Sequence, residues 1–138
     1  MSTRSIVSIR EMIAAHPSAP PVDADVLARC IEECFRCEAT CTSCADASLG
    51  EDDIADLVRC IRDCLDCADV CAATGRILTR QAAVEAFLRG TLEVCAQACR
   101  VCAEECEKHA AHHEHCRLSA EECRRCEDVC NEVLRLLD

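Results

Sequence analysis

The chain has 138 residues, a length that suits one domain with one hydrophobic core. Only 1% of the residues are aromatic, so aromatic packing cannot build that core, whereas 17 residues are cysteine. The formal net charge of −11 disfavours binding to nucleic acid or to an anionic membrane surface.

Residues 1–22 are predicted to form a short amphipathic helix and a linker. Residues 4–15 place four apolar side chains on one side of a helix: Ile6, Ile9, Met12 and Ile13. The dipeptide His16-Pro17 ends this helix. The stretch has no long apolar region and no twin arginine, and no segment approaches the roughly 20 apolar residues of a membrane span. We therefore expect a reducing cytoplasm, where abundant cysteines bind metal more often than they form disulfides.

Residues 23–138 are predicted to form four long helices, because Gly and Pro number only three each. The predicted bounds of these helices are 23–47, 51–73, 80–110 and 115–137. Asp23 is the expected N-cap of the first helix, acids at 51–53 are expected on the first turn of the second, and Gly75 follows its end. Short loops make neighbouring helices antiparallel, so the predicted fold is all-α, an up-down-up-down four-helix bundle with a short N-terminal extra helix.

Cysteine recurs at spacings of three and four residues along each long helix, which is the periodicity of one helix face. The four runs are Cys30, Cys34, Cys37, Cys41 and Cys44; Cys60, Cys64, Cys67 and Cys71; Cys95, Cys99, Cys102 and Cys106; and Cys116, Cys123, Cys126 and Cys130. Ser119 stands where the fourth run would have another cysteine. A bundle needs one inward stripe per helix, so the sequence predicts a thiol-lined core about 20 Å long at about 1.5 Å per residue.

The register of an up-down bundle predicts levels of facing side chains across this core. The levels are Cys30, Cys71, Cys95 and Cys130; Cys34, Cys67, Cys99 and Cys126; Cys37, Cys64, Cys102 and Cys123; and Cys41, Cys60 and Cys106 with Ser119.

Each cysteine stripe can be extended past its first and last thiol at the same helical spacing, and the residues found there predict that the two ends of the bundle differ. At one end the extensions are mostly aliphatic: Leu27, Thr74, Leu78, Leu88, Leu92, Val133 and Leu137. At the other end they are polar and rich in histidine: Ser48, Asp53, His109, His112 and His113, beside Leu57. The sequence therefore predicts a column with one sealed end and one polar mouth.

Metal binding accounts for the inward thiols better than packing or disulfides do. Other small apolar residues would pack without the risk of oxidation, and the odd number of cysteines opposes a disulfide framework. Zinc in four thiolates carries a charge of −2, so stacked zinc sites would bury many uncompensated charges. Cu(I) accepts soft thiolates and gives a nearly neutral column. An Fe–S carrier, a disulfide-based redox protein and a zinc sink remain as alternatives.

A few residues outside the thiol stripes are also candidate ligands. His109 and His113 lie on the extension of the stripe at the mouth and are predicted to bind copper there, since Cu(I) accepts imidazole. His112 and Asp63 are further possible ligands, whereas His115 and His16 are expected to be ordinary surface or loop residues. No Ser-His-Asp set, nucleotide-binding loop or paired-carboxylate site is apparent, so no enzymatic activity is predicted.

The repeated C-x3-C-x2-C-x3-C runs, together with the histidines at one mouth, resemble the bacterial copper storage proteins. The runs are RCIEECFRCEATC (29–41), RCIRDCLDCADVC (59–71) and VCAQACRVCAEEC (94–106), and the resemblance covers about residues 23–137. Without an export signal, the chain is similar to the cytosolic branch of that family. The resemblance implies a bundle, often tetrameric, that holds many Cu(I) ions mainly on cysteine sulfurs, with a few His, Asp or Asn ligands near the ends.

The expected function is thus cytosolic storage and detoxification of Cu(I). The expected partners are copper ions, a copper chaperone and further copies of the chain, with no nucleic acid and no membrane. Ser119, in place of a cysteine, is expected to lower the local density of thiolates.

Overall fold

The structure, a computed structural model, describes residues 7–81 and 83–138. Its elements are α1 (Ile9–Ala15), α2 (Ala24–Leu49), a short 3-10 helix (Ile54–Leu57), α3 (Val58–Thr79), α4 (Glu85–Glu107) and α5 (Glu114–Leu136). Among the described residues there is no strand. The predicted all-α class is confirmed.

The four long helices form a closed ring around one core. Helix α2 packs against α3 and α5, and α4 packs against the same two neighbours. Connected by short loops, consecutive helices run antiparallel, which confirms the predicted up-down-up-down bundle. Across the described part of the chain, every helix is too short or too polar to span a bilayer.

The N-terminal helix begins later than the sequence predicts. Ser8 caps α1 because its hydroxyl accepts a hydrogen bond from the Glu11 N–H at 3.0 Å. Ile13 is buried against the bundle and Ile9 is partly buried, whereas Met12 is exposed, so only part of the predicted apolar side packs against the bundle. Ile6 lies outside the described residues. The division of the chain at residue 22 stays a prediction.

Helix α3 continues past Gly75 to Thr79, so the predicted helix end near residue 73 is wrong. Gly75 is buried inside the helix because α2 comes very close at this point. A Cβ atom at this position would lie only 2.9 Å from Cε1 of Phe35 on α2. The glycine therefore permits close packing of two helices and does not terminate one.

Two loops also differ from the prediction. Glu51 and Asp53 precede the 3-10 helix and do not form the first turn of α3. Helix α4 begins at Glu85 and not near residue 80, since α3 extends to Thr79 and the chain must reverse direction before the next helix. Asp23 caps α2 as predicted, accepting from the Asp25 N–H at 3.0 Å.

The aliphatic end of the bundle is sealed. Six of the seven side chains predicted to close it are each at most 3% exposed: Leu27, Thr74, Leu78, Leu88, Leu92 and Val133. The seventh, Leu137, follows the end of α5 and is only partly buried. Helix α1 packs against α2 near this end, and the side-chain amide of Gln81 donates to the Ile13 carbonyl at 3.5 Å.

Candidate metal centre

All 17 cysteines are free thiols, and each is buried in the centre of the bundle. Their exposure is 0% except for Cys44, which is 1% exposed. The four helices supply one stripe each, because the spacing of three and four residues keeps every thiol on the inner face of its helix. The predicted thiol-lined core is thus present.

Sulfur contacts within the predicted levels confirm the register of the helices. The Sγ atoms of Cys30 and Cys130 are 3.9 Å apart near the sealed end. Those of Cys64 and Cys102 are 3.6 Å apart in the middle of the column. Nearer the mouth, the Cys60 and Cys106 sulfurs are separated by 3.5 Å.

Contacts between levels join the thiols into a continuous column. The Cys71 sulfur lies 3.6 Å from that of Cys99, and the Cys41 sulfur lies 3.5 Å from that of Cys123. Each of these pairs joins two neighbouring predicted levels. A metal ion in the column can therefore exchange ligands with sulfurs above and below it.

Several groups of sulfurs are close enough to share one metal ion, with all ligand atoms within 4.8 Å of one another. They include four groups of four: Cys34, Cys95, Cys126 and Cys130; Cys37, Cys71, Cys99 and Cys126; Cys37, Cys41, Cys67 and Cys123; and Cys44, Cys60, Cys64 and Cys106. When the three-thiol set of Cys41, Cys64 and Cys102 is included, four cysteines belong to more than one group: Cys37, Cys41, Cys64 and Cys126. Shared sulfurs of this kind can bridge neighbouring metal ions.

Hydrogen bonds from neighbouring thiols lower the pKa of some thiols in the column, to about 6 for Cys30, whereas burial opposes the ionisation of all of them. Burial raises the pKa of Cys116 to about 12. Hydrogen bonding to Cys126 and Cys130, together with burial, also raises the pKa of Cys34. A neutral thiol is small and apolar, so it packs in a bundle core at little cost. Metal binding must displace these protons.

His115 is the residue at the mouth that contacts the thiol column directly. Its Nδ1 atom lies 3.4 Å from the Cys44 sulfur and 3.6 Å from the Cys116 sulfur. Its Nε2 atom lies 3.0 Å from a carboxylate oxygen of Glu51. The expectation that His115 is an ordinary surface residue is wrong. Its position four residues before Ser119 on the stripe of α5 is the signal that would have identified it.

His113 is held by carboxylates of the loop between α2 and α3. Its Nδ1 atom lies 2.5 Å from Glu51, and its Nε2 atom lies 2.9 Å from Asp53. The hydrogen bond with Asp53 raises the pKa of His113. The His113 and His115 rings stack with centroids 5.3 Å apart. The two loops therefore meet at one end of the bundle, as the predicted polar mouth requires.

The remaining candidate ligands lie beside the column. The Nε2 atom of His109 is 3.0 Å from a carboxylate oxygen of Glu105 on the same helix. His112 is exposed. The carboxylate of Asp63 is buried, which raises its pKa, and it lies 3.5 Å from the Arg59 guanidinium.

A surface recess between α2 and α5 leads to the outermost thiols. It has a volume of about 270 Å³, and its lining includes Thr40, Ser43, Cys44, His115 and Leu118. Because Cys44 and His115 are in contact at its inner wall, an ion arriving from solvent meets a sulfur and an imidazole together.

Residues 23–135 match the sequence profile of the copper storage protein family, Csp. The fold is similar to that of the copper storage protein Ccsp from Streptomyces lividans loaded with 10 copper equivalents, at 46% identity and a TM-score of 0.92, over 94% of this chain and 100% of that one. A structure of cytosolic Ccsp with five coppers is 51% identical, with a TM-score of 0.79, over 80% of this chain and 93% of that one. A histidine-to-alanine variant of Ccsp is 50% identical, with a TM-score of 0.83, over 86% of this chain and 99% of that one. A comparison with curated proteins gives no match.

Proposed function

Because the chain belongs to the copper storage protein family, we propose that it stores Cu(I) ions on the thiols inside its bundle, in the cytosol. The observation that carries this proposal is the continuous column of buried sulfurs, most of which lie within 4 Å of a sulfur on another helix. Such a column offers many equivalent soft ligands in one enclosed space. A single-site metalloprotein needs only four of them.

The charge of the column favours Cu(I) over divalent metals. Each thiolate carries one negative charge, so about one Cu(I) per thiolate leaves the buried column nearly neutral. A divalent ion in each four-thiol group would leave an excess of buried negative charge, at a large cost in a medium of low dielectric constant. Sulfurs shared between groups suit bridging by Cu(I), which accepts two or three thiolates.

We assign all 17 cysteines as Cu(I) ligands and the mouth as the place of copper uptake. His115, with Cys44 and Cys116, supplies the outermost donor set, since its Nδ1 faces both sulfurs. His113 becomes available to an ion only when it releases Glu51 or Asp53. His109 can bind an ion only when it is released from Glu105, and His112 and Asp63 lie at the periphery of the metal site.

The proposed role is storage and detoxification without catalysis. Copper enters at the mouth, displaces thiol protons and passes inward from sulfur to sulfur. A copper chaperone is a suitable donor, and assembly into a tetramer remains a prediction.

The deciding measurement is an anaerobic titration of the reduced apoprotein with Cu(I) in the presence of a chromophoric Cu(I) chelator. We expect the protein to outcompete the chelator until about one Cu(I) per cysteine has bound. Saturation after one or two ions would refute storage. Competition between Cu(I) and Zn(II) distinguishes copper storage from zinc binding. The colour of the isolated protein distinguishes copper storage from an Fe–S carrier, because Fe–S clusters are visibly coloured.

A further inference from the structure

Ser119 interrupts the thiol stripe of α5. Cys116 and Cys123 are seven residues apart, which corresponds to about 10 Å along the helix axis at about 1.5 Å per residue. On α2, α3 and α4, successive cysteines are three or four residues apart, or at most about 6 Å. The gap between thiols is therefore found only on the side of the column that α5 supplies.

The hydroxyl of Ser119 occupies the place of the missing sulfur. Ser119 is fully buried, and its Oγ atom lies 3.7 Å from the Cys41 sulfur, 3.9 Å from the Cys64 sulfur and 3.7 Å from the Cys106 sulfur. These three sulfurs belong to α2, α3 and α4, so the hydroxyl faces a thiol from each of the other three helices.

Beside this hydroxyl, the number of sulfurs that are close enough to share one metal ion falls from four to three. On the mouth side, Cys44, Cys60, Cys64 and Cys106 form a group of four, and on the inner side Cys37, Cys41, Cys67 and Cys123 form another. Between them lies the group of three, Cys41, Cys64 and Cys102. Within the group of three, the sulfur of Cys102 lies 3.6 Å from that of Cys64 and 3.9 Å from that of Cys41. Towards the mouth, the Cys106 sulfur lies 3.7 Å from that of Cys64 and 3.9 Å from that of Cys102, and inward the Cys123 sulfur lies 3.5 Å from that of Cys41.

A serine hydroxyl cannot replace a thiolate for Cu(I). It is a hard and neutral oxygen donor, whereas Cu(I) selects soft, anionic sulfur. A copper ion held by three thiolates at this level has the α5 sulfur of Cys123 on its inner side, 3.5 Å from that of Cys41, but towards the mouth it meets the Ser119 hydroxyl in place of an α5 thiolate. Transfer between the mouth and the interior must then use the sulfurs of α2, α3 and α4.

We propose that Ser119 makes its level the slow step of copper exchange, so that the column fills and empties as two compartments in series. The outer compartment contains Cys44, Cys60, Cys106 and Cys116, and the inner compartment contains the thiols beyond Cys41, Cys64 and Cys102. This inference rests on the proposed storage function and adds to it a residue that governs the rate of transfer.

The test is the time course of Cu(I) transfer between the reduced protein and a chromophoric chelator, measured anaerobically in both directions by stopped flow. The wild-type protein is expected to load in a fast and a slow phase. Ser119→Cys supplies the missing thiolate, so it should accelerate the slow phase by roughly tenfold and bind one additional Cu(I). Ser119→Ala supplies no ligand, so loading of this variant should still show a fast and a slow phase.

Thr74→Cys is the matched control. Thr74 is buried, three residues after Cys71 on the stripe of α3 and near the sealed end, so the variant adds a thiol without touching the Ser119 level. It should raise the capacity and leave the slow phase unchanged.

Loading of the wild-type protein in a single phase, with many ions bound, would overturn this inference and leave the storage function intact. Equal acceleration by Ser119→Cys and Thr74→Cys would overturn it as well. Saturation of the wild-type protein at one or two ions would instead refute the storage function itself. If Ser119→Cys fails to fold, as judged by far-UV circular dichroism, two phases in both the wild-type protein and Ser119→Ala still support the inference, and one phase in either contradicts it.

Discussion

The Nδ1 atom of His115 lies 3.4 Å from the sulfur of Cys44, which is 71 residues away in the sequence. This contact joins the first turn of α5 to the last two turns of α2, at the rim of the thiol column. It is the point where an imidazole, a sulfur and the external solvent come together, and it predicts how copper uptake begins.

Replacement of His115 by alanine should slow copper uptake without changing the total capacity. The variant removes the outermost nitrogen donor, whereas all 17 thiols remain. We expect the fast phase of Cu(I) loading to slow by roughly tenfold, which corresponds to about 1.4 kcal/mol in the barrier. His112→Ala is the control because His112 is exposed and should load like the wild-type protein. A lower capacity in His115→Ala at unchanged rate would contradict this assignment.

The reduced apoprotein should be folded and helical at neutral pH. Burial opposes the ionisation of the thiols, as at Cys116, and neutral thiols pack as small apolar groups, so we expect the core to form without metal. The far-UV circular dichroism spectrum of the metal-free, reduced protein should have the double minimum of an α-helical protein. A random-coil spectrum that becomes helical only on addition of Cu(I) would contradict this prediction.

Gly75→Ala should destabilise the bundle, whereas Gly90→Ala should not. The added methyl group at position 75 would meet the Phe35 ring at 2.9 Å, and we expect a loss of about 1–2 kcal/mol in the free energy of unfolding as the ring shifts. At position 90 no atom lies within 4 Å of the added methyl group, so higher helix propensity should stabilise the protein by up to about 1 kcal/mol. Thermal unfolding of both reduced apoproteins measures the difference.

The double variant Phe35→Leu/Gly75→Ala tests the cause of that destabilisation. If the aromatic ring is the obstacle, the cost of the alanine should be smaller in the Phe35→Leu background than in the wild-type background. An equal cost in both backgrounds would show that contact with Phe35 is not responsible.

Glu122 should make the stability of the apoprotein depend on pH. Burial, together with the neighbouring Glu33, raises the pKa of the Glu122 carboxyl to about 8. Because the folded protein favours the protonated form, the free energy of unfolding should fall as the pH rises from the ordinary carboxyl pKa of 4.5 towards about 8. Glu122→Gln cannot ionise and should have a flatter pH profile, with higher stability than the wild-type protein at pH 7.5. Melting temperatures at pH 5 and pH 7.5 measure this effect.

Glu104→Gln is the control for this pH profile. Glu104 is exposed on α4, so its replacement should leave the pH dependence unchanged. A wild-type melting temperature that is constant between the two pH values would contradict the prediction for Glu122.

The sequence predicts those parts of the molecule that repeat. The cysteine spacing gives the inner face of each helix, and its extension to Leu92 or Val133 gives the sealed end, because helical periodicity continues past the last thiol. The sequence does not predict contacts that depend on one residue of one helix meeting one residue of another. Gly75 looks like a helix end until Phe35 is known to lie against it, and His115 looks like a loop residue until Cys44 is brought to it by another helix.

The sealed end has a consequence for the order in which copper leaves. Among the described residues, Leu27, Leu92 and Val133 are fully buried and close the column at the far end. Because copper ions enter and leave the column through one mouth, the ions that bind last are released first. The deepest ions, beside Cys30 and Cys130, would be the first stored and the last recovered.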